Sequence, residues 1–568
     1  MFSAIRRTIN SKPSPREIQS NILAGLSVGI IALPLSMGLA IASGVPPQQG
    51  LYTAIVAGII IALTGGSKVN ISGPTAAFVV ILLPIVQQFG LGGLLISGFM
   101  AGIILIIFGL ARLGGLIQIV PYPVTVGFTT GIAVVIATLQ LKDILGLNIA
   151  DFSGDFIHKL QLIFQALPTL NWHEAGVGLL TLVTLFWWRS LESKIPPHLI
   201  GLIVGSGIAW LANLFLPNFE VATIGSSFHY VVDGIVGNGI PPFLPEFTLP
   251  WNFPDKTGHP IGLSFELIRS LMGAAFAIAI LGALESLLCA VVADGMSGKT
   301  HNPNDELIGQ GIGNLIVPFF GGLPATAAIA RTAANVRAGG TLPLSSIVHS
   351  VFIIASILAL APLLAYVPMA AIAALLLLVA WNMSEAKHFI RIIRVAPNGD
   401  KATLLTCFSL TVMFDMEIAV AVGLGLAAAL FIRRSIALTG LKLIDNNQTE
   451  HPRAAELPNN VLIYDVNGAM FFGSAQKALS VLTHISKVKI VVLDMSDVTM
   501  LDMTAMVAME SIAENFKQHG IKMIINNLDL RMILKLRSVG IGKEDGNVTY
   551  SLTIDDAITS ILDESSLD

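Results

Sequence analysis

Val69-Asn70-Ile71-Ser72-Gly73-Pro74-Thr75-Ala76-Ala77-Phe78 returns about 250 residues later as Phe320-Gly321-Gly322-Leu323-Pro324-Ala325-Thr326-Ala327-Ala328-Ile329. Each stretch is an extended, Gly/Pro-broken approach to an unusually short apolar helix. Proline suits the first turn of such a helix, because its missing amide proton would have found no partner there. A weaker echo lies at a similar offset, where Ser43-Gly44 and Gln49-Gly50 are followed by Ser297-Gly298 and Gln310-Gly311. One broken helix alone could be a packing kink, since Gly and Pro are common in membrane helices. A matched pair at symmetric positions reads as an internal repeat.

The surroundings of the pair are those of a membrane protein. The 568 residues are 54% apolar and 12% charged, about half the charged share of a soluble chain, with mean hydropathy +0.77. Fourteen hydrophobic segments fall at 21–42, 51–65, 75–89, 92–110, 121–139, 173–188, 199–216, 269–293, 307–320, 325–337, 345–362, 367–380, 401–415 and 418–433. The first is too long for a signal h-region and follows Arg6, Arg7, Lys12 and Arg16, so the N-terminus is expected in the cytoplasm. With an even count, Lys68, Arg112, Arg189, Lys194, Lys387, Arg391, Arg394, Lys401, Arg433 and Arg434 all face inside, whereas the outer loops 140–172 and 217–268 are poor in cations. That is the positive-inside pattern. The expected boundaries are a cytoplasmic segment 1–20, a transmembrane domain 21–434, a linker 435–457 and a soluble domain 458–568. The repeats cover about 21–216 and 269–434.

Seven spans per half is an odd number, so the second half enters from the opposite side, as an inverted repeat. The two broken helices then meet near the midplane with their N-terminal ends facing. Free N–H groups and the positive ends of both dipoles converge on one cavity, whose natural ligand is an anion. Thr75 and Thr326 supply hydroxyls beside the helix starts, either as caps or as ligand donors, and Ala76 and Ala327 fall in the first turns.

Two ionisable residues stand out within the spans. Glu285, deep in Ile278–Val292, would cost ~2.5 kcal/mol or more if charged and unpaired, so it should carry a proton part of the time or face a wet cavity. It is the proton-coupling or cation-coordinating candidate, against a packing role as a hydrogen-bonded acid; Cys289 shares its face and Ser286 is close. Arg331, seven residues after Pro324, reads as about two turns into the second broken helix, where it would complement a bound anion or else snorkel to the interface as Arg337 does. His301, His349 and His388 read as loop or interface residues near span ends, and Asp415 with Glu417 as a short external turn. Cys289 and Cys407 sit in apolar runs and imply no disulfide. No Walker A, HExxH or GxSxG sequence and no clustered metal ligands occur, so ATP-driven pumping and hydrolysis are disfavoured and no cofactor is expected.

The tail changes character. Residues 436–568 hold 28 of the 68 charged side chains, 11 basic and 17 acidic, which disfavours nucleic acid as a partner. Strands at Val461–Val466, Lys489–Met495 and Ile521–Ile525 alternate with helices at Ser474–Ile485, Met503–Lys517, Leu530–Leu536 and Ile554–Leu562. Near-continuous apolar strands between helices imply a parallel sheet covered by helices.

Ala32-Leu33-Pro34-Leu35-Ser36-Met37-Gly38-Leu39-Ala40-Ile41-Ala42-Ser43-Gly44-Val45-Pro46-Pro47-Gln48-Gln49-Gly50-Leu51-Tyr52 closely resembles the signature of the sulphate permease/solute carrier 26 anion transporters. Asn314–Gly340 is similar to that family's tenth segment, and the tail to its STAS domain. The runs Ala275–Met296 and Glu306–Ala338 are most similar to the branch of bacterial inner-membrane carriers of C4-dicarboxylates (succinate, fumarate, aspartate). The resemblance implies a core domain of spans 1–4 and 8–11, a gate domain of spans 5–7 and 12–14, a substrate site between spans 3 and 10, a homodimer, and both termini in the cytoplasm. It carries Ser36, Gly73, Thr75, Ala76, Thr326, Ala327 and Arg331 over to a small anionic substrate and Glu285 to ion coupling, with protons as the coupling ion. A cytoplasmic partner of the STAS domain is a further expectation.

Two departures matter. A sodium-coupled member has Asp and Thr four apart where this chain has Glu285 and Cys289, and a thiol is a poor ligand for a hard cation. The relatives' Asp-Ser-Ser-Gly reads Asp502-Met503-Thr504-Ala505, which leaves only Thr504 as a hydroxyl for phosphorylation. The expected function is therefore proton-coupled dicarboxylate uptake by displacement of core against gate. The alternatives are sulphate or bicarbonate transport and, in a different class, a signalling or scaffold protein acting through the tail, which would show no saturable flux.

Overall fold

The computed structural model describes residues 3–117, 120–191, 195–216, 219–232, 235–414, 416–438, 440–444, 453, 456–458, 460–471, 488–542 and 546–565. Two compact units divide the chain, Met1–Gly425 and Leu426–Asp568. The helix expected over Ser474–Ile485, together with Lys194 and Asp415, lies outside the described residues.

The first half runs through α1 (Ser3–Ser11), α2 (Pro15–Ala42), α3 (Pro47–Thr64), strand β1 (Ser72–Gly73), α4 (Ala76–Leu110), α5 (Gly114–Ile117), α6 (Tyr122–Ile144), α7 (Phe156–Ala166), α8 (Trp172–Ser190) and α9 (Pro197–Phe215). The outer connection holds α10 (Ile224–Ser227) and an antiparallel hairpin of β2 (His229–Val232) and β3 (Ile235–Asn238), in a stretch with no strand expected. The second half follows with α11 (Phe265–Ser297), α12 (Pro303–Ile316), β4 (Thr326–Ala327), α13 (Ile329–Arg337), α14 (Leu344–Leu364), α15 (Met369–Met383), α16 (Ala386–Val395), α17 (Asn398–Met413) and α18 (Met416–Leu438).

Among the described residues, helical segments lie at all fourteen expected spans: α2, α3, the two parts of α4, α6, α8 and α9, then α11 to α15, α17 and α18. The two parts of α4 meet at Gly90, where φ is +75°. A side chain there would strike the backbone of Asp255 and Lys256, so both the turn and the close approach require glycine. Among the described residues, eight helices are long and apolar enough to cross a membrane by themselves. α12 has 14 residues and is prolonged by a 3-10 turn at Val317–Phe320, whereas α13 has 9 and is preceded by extended chain. Such chain survives at membrane depth only where protein covers it and satisfies its backbone. Here β1 and β4 pair with each other.

The helices sort into two packed groups. α2, α3, α4 and α11 to α14 form one, and α6, α8, α9, α15 and α17 the other, with α18 reaching α17 where the Cys407 thiol lies 3.9 Å from the Ala419 carbonyl. Their interior is aliphatic and small-residue rich, including Phe78, Leu105, Ile278, Leu287 and Leu323 in the first group. The first two turns of α14 lie against Gly58 of α3, whose carbonyl accepts from Ser346 Oγ at 2.9 Å, so His349 is fully buried there instead of sitting at a span end.

The second unit carries a five-stranded sheet in the order β5 (Gly440–Ile444), β6 (Val461–Asn467), β7 (Ile490–Asp494), β8 (Lys522–Asn526) and β9 (Val548–Ser551). β6 to β9 are parallel, as the apolar strands imply, and helices Met503–Gln518, Leu530–Ser538 and Ile554–Ser565 cover them. β5 is antiparallel to β6, so the sheet is mixed and begins inside the stretch read as linker. Only Thr439 separates β5 from α18, and with Lys442 and Leu443 exposed it has no continuous apolar run to announce it. Asp502 accepts from Ala505 N–H at 2.8 Å as the N-cap of helix Met503–Gln518, which leaves Thr504 exposed in the first turn.

Candidate anion-binding site

β1 and β4 cross antiparallel, with Ser72 opposite Ala327 and Gly73 opposite Thr326. This short ladder brings the start of α4 at Ala76 and the start of α13 at Ile329 to one level from opposite sides. Neither N-cap side chain, Thr75 or Ala328, accepts a bond from its helix, so the first-turn N–H groups have no side-chain cap at either end, although Phe78 N–H reaches the Thr75 carbonyl at 3.3 Å. Two positive dipole ends therefore share one region.

Glu285, half-buried on α11, accepts from the Thr75 hydroxyl at 2.8 Å. Arg331 is buried and donates through Nη2 to the Pro74 carbonyl at 2.6 Å, while its Nη1 has no hydrogen-bond partner. A Cβ on Gly73 would lie 2.7 Å from that Nη1, so glycine is what lets the guanidinium reach the β1 backbone. Arg331 does not snorkel; Arg337, two turns on, is the exposed cation. Gly73, Thr75, Ala76, Glu285 and Arg331 are thus gathered at one place.

The second half departs from the expected register. Thr326 and Ala327 belong to β4 and not to the first turn, because pairing with Ser72 and Gly73 holds the chain extended until Ile329. The counterpart of Thr75 is therefore Ala328, and Arg331 lies in the first turn instead of two turns in. Thr326 Oγ1 is 2.6 Å from Ser286 Oγ and donates to the Gly282 carbonyl at 3.3 Å, and the Ala327 N–H goes to Ser286 Oγ at 3.3 Å. Their polar groups serve α11. Ser36 is buried in α2 with its hydroxyl unpartnered, so no hydrogen bond ties it to the other named residues.

A polar network missed in the sequence holds the crossing in place. The buried Glu306 carboxylate accepts from Gly66 N–H and Ser67 N–H at 2.9 Å each, from Asn70 Nδ2 at 2.9 Å and from Gln310 Nε2 at 3.2 Å. Gln310 also donates to Ser72 Oγ at 3.0 Å, and Asn70 Oδ1 faces the Cys289 thiol at 3.8 Å. Asn314 brackets Ala325 by donating to its carbonyl and accepting from its N–H. The signal was present: Glu306, Gln310 and Asn314 recur every fourth residue, a polar stripe on a helix that is otherwise apolar after Asp305.

Comparison with known proteins decides what this architecture is. The model of the sulfate permease family matches residues 18–406, and that of the STAS domain residues 452–557. The chain belongs to the sulfate permease family. It is 41% identical over 516 residues to the putative sulfate transporter YvdB of Bacillus subtilis, covering 90% of this chain and 92% of that one. To the bicarbonate transporter BicA of Picosynechococcus it is 31% identical over 527 residues, covering 89% and 88%. Its fold is similar to that of the murine Solute Carrier 26 family member A9 anion transporter, with TM-score 0.83 at 18% identity over 99% of this chain and 94% of that chain. The sulfate permease fold is the inverted repeat of seven plus seven spans in core and gate, followed by a STAS domain. Nothing in these comparisons singles out the dicarboxylate branch of the family.

Proposed function

We propose that this sulfate permease family member is a secondary carrier that takes up a small inorganic oxyanion, sulfate first and bicarbonate second, together with a proton held at Glu285. The observation that carries the reading is the unpartnered, buried Arg331 Nη1 at two facing helix ends, beside Glu285 and Thr75. With Glu285 ionised, its charge cancels that of Arg331. With Glu285 protonated, the site holds a net positive charge at two positive dipole ends, and an anion binds more tightly. Linkage makes the effect reciprocal: the bound anion favours the proton by the same factor. Cys289, turned to Asn70, supports a proton over sodium.

The names of the relatives support an inorganic oxyanion over the four-carbon dicarboxylate that the sequence resemblance suggests. The cation-rich loops on the face where α2 begins support a cytoplasmic location for that face in a bacterial inner membrane. The test is uptake into proteoliposomes of labelled sulfate, bicarbonate and succinate, with and without an inward proton gradient. Saturable sulfate or bicarbonate uptake that the gradient accelerates is the expected result. Flux of succinate alone, or flux indifferent to the gradient, defeats the reading.

A further inference from the structure

α16 joins the end of α15 to the start of α17, so it lies where the chain turns at one membrane face. Counting crossings from α2 puts that turn on the face where α2 begins. The helix packs on α6 and α17 through Ile392, which is buried with Val126 and Leu404, and through Phe389, whose ring is 5.2 Å from that of Phe408. At 3.6 residues per turn, Lys387, Arg391 and Arg394 fall within about 60° of one another, on the side opposite Phe389 and Ile392. All three are exposed, and among the described residues none is in an ion pair. The one acid at the helix start, Glu385, accepts from His388 at 3.3 Å.

The flank between the packed side and the cationic side is apolar and uncovered. Ile390 is 48% exposed and Ile393 is 38% exposed. Trp381, one turn before α16, is 61% exposed, and Trp187, near the end of α8, is 60% exposed. Tryptophans on the outside of a bundle settle at the level of the lipid headgroups. A helix at that level with protein on one side, isoleucines on the next and cations on the third has the layout of an interfacial helix.

We propose that α16 is a binding surface for anionic lipid headgroups: Ile390 and Ile393 lie among the acyl chains, and Lys387, Arg391 and Arg394 hold the phosphates. The charge complementarity selects this occupant, since three clustered cations without acidic partners face the layer where a bacterial membrane carries its negative charge. Because α16 packs on α6 and α17, the contact ties the gate group to the membrane surface.

Quenching of Trp381 fluorescence in the full chain by brominated phosphatidylglycerol, compared with brominated phosphatidylcholine, reads the occupancy, taken as the difference between the wild type and Trp381→Phe. The anionic lipid should quench at an apparent affinity tenfold or more above that of the zwitterionic one, and added salt should reduce the preference. Lys387→Gln, Arg391→Gln and Arg394→Gln together should abolish it. If the triple variant does not fold, Arg394→Gln alone should lower the preference about fivefold, the factor expected for one cation near such a surface. Millimolar inorganic phosphate should leave the quenching unchanged, which separates a lipid surface from a free-phosphate site. Equal quenching by the two lipids, a preference that survives all three substitutions, or reversal by free phosphate would overturn the proposal.

Discussion

The two broken helices share a backbone device and differ in what holds it. The approach to α4 is braced by a buried carboxylate: Glu306 gathers Gly66, Ser67 and Asn70, while Thr332 Oγ1 accepts from Ile71 N–H at 3.0 Å and Asn335 donates to the Val69 carbonyl at 2.8 Å. The approach to α13 is braced by neutral groups: Thr53 Oγ1 accepts from Leu323 N–H at 2.6 Å, and Asn314 and Ser286 take Ala325 and Ala327. Their ends differ too. The first presents a hydroxyl bonded to a carboxylate, and the second a guanidinium in its opening turn. The repeat thus keeps one backbone geometry at both helix ends, while Glu285, Glu306 and Arg331, all from the second half, give the two ends different chemistry.

The brace should show the largest contrast. Glu306→Ala strips a buried acceptor from two N–H groups and two amides, and each donor left unsatisfied costs ~1 to 3 kcal/mol. Asn314→Ala removes a neutral side chain bonded to one residue of β4's approach and to the Gln310 carbonyl. Thermal unfolding of the purified variants should therefore place Glu306→Ala well below Asn314→Ala. Equal melting shifts would mean that the carboxylate is no more of a brace than the amide.

Next in size is the loss of coupling. Glu285→Gln keeps the shape and can still accept from Thr75, yet it cannot exchange a proton. Gradient-driven accumulation should disappear while counterflow of labelled against unlabelled anion continues. A mutant whose uptake follows external pH as the wild type does would remove Glu285 from the coupling step.

A smaller effect tests whether both helix ends face one ligand. Ala76→Asp and Ile329→Asp each put a carboxylate at the first residue of a helix, where it competes for the open N–H groups. Each should raise the apparent KM for the anion about tenfold, a loss of ~1.4 kcal/mol. Ala327→Asp is not the matching substitution, because Ala327 is a fully buried strand residue whose N–H is already bonded. A change in KM at only one end would reduce the other to a packing kink.

Much of this was legible because lipid leaves so few solutions. Span positions followed from apolar run length, and the crossing from two Gly/Pro-broken approaches at one offset. The register of the second approach was not legible. Thr326-Ala327 reads equally well as a first turn or as a strand, and only pairing with Ser72-Gly73, 254 residues away, settles it. Glu306 escaped for a similar reason: next to Asn302-Pro303-Asn304-Asp305 it reads as a solvated helix start, and its partners Gly66, Ser67 and Asn70 lie in the other half. β5 had only a short, broken hydrophobic signal, since it is an edge strand with Lys442 and Leu443 exposed.

The finest contrast is between the two threonines that the sequence presents as mates. Thr75 Oγ1 donates to Glu285, the group proposed to carry the proton, so Thr75→Val removes a bond from the ionised carboxylate, worth ~1.5 to 3 kcal/mol for a charged partner. Protonated Glu285 loses less, because a neutral acid accepts a weaker bond. The variant should therefore hold its proton more firmly, and the pH dependence of uptake should shift to higher pH. Thr326 Oγ1 is engaged with Ser286 and the Gly282 carbonyl, and among the described residues no hydrogen bond joins it to Glu285. Thr326→Val should cost the ~1 kcal/mol of a neutral hydrogen bond in stability, seen as a lower melting temperature, and leave the pH profile in place. The decisive measurement is uptake against external pH for the two variants side by side. A shift in Thr326→Val equal to that in Thr75→Val would restore the two residues to equivalent roles, and the division of labour between the helix ends would fall with it.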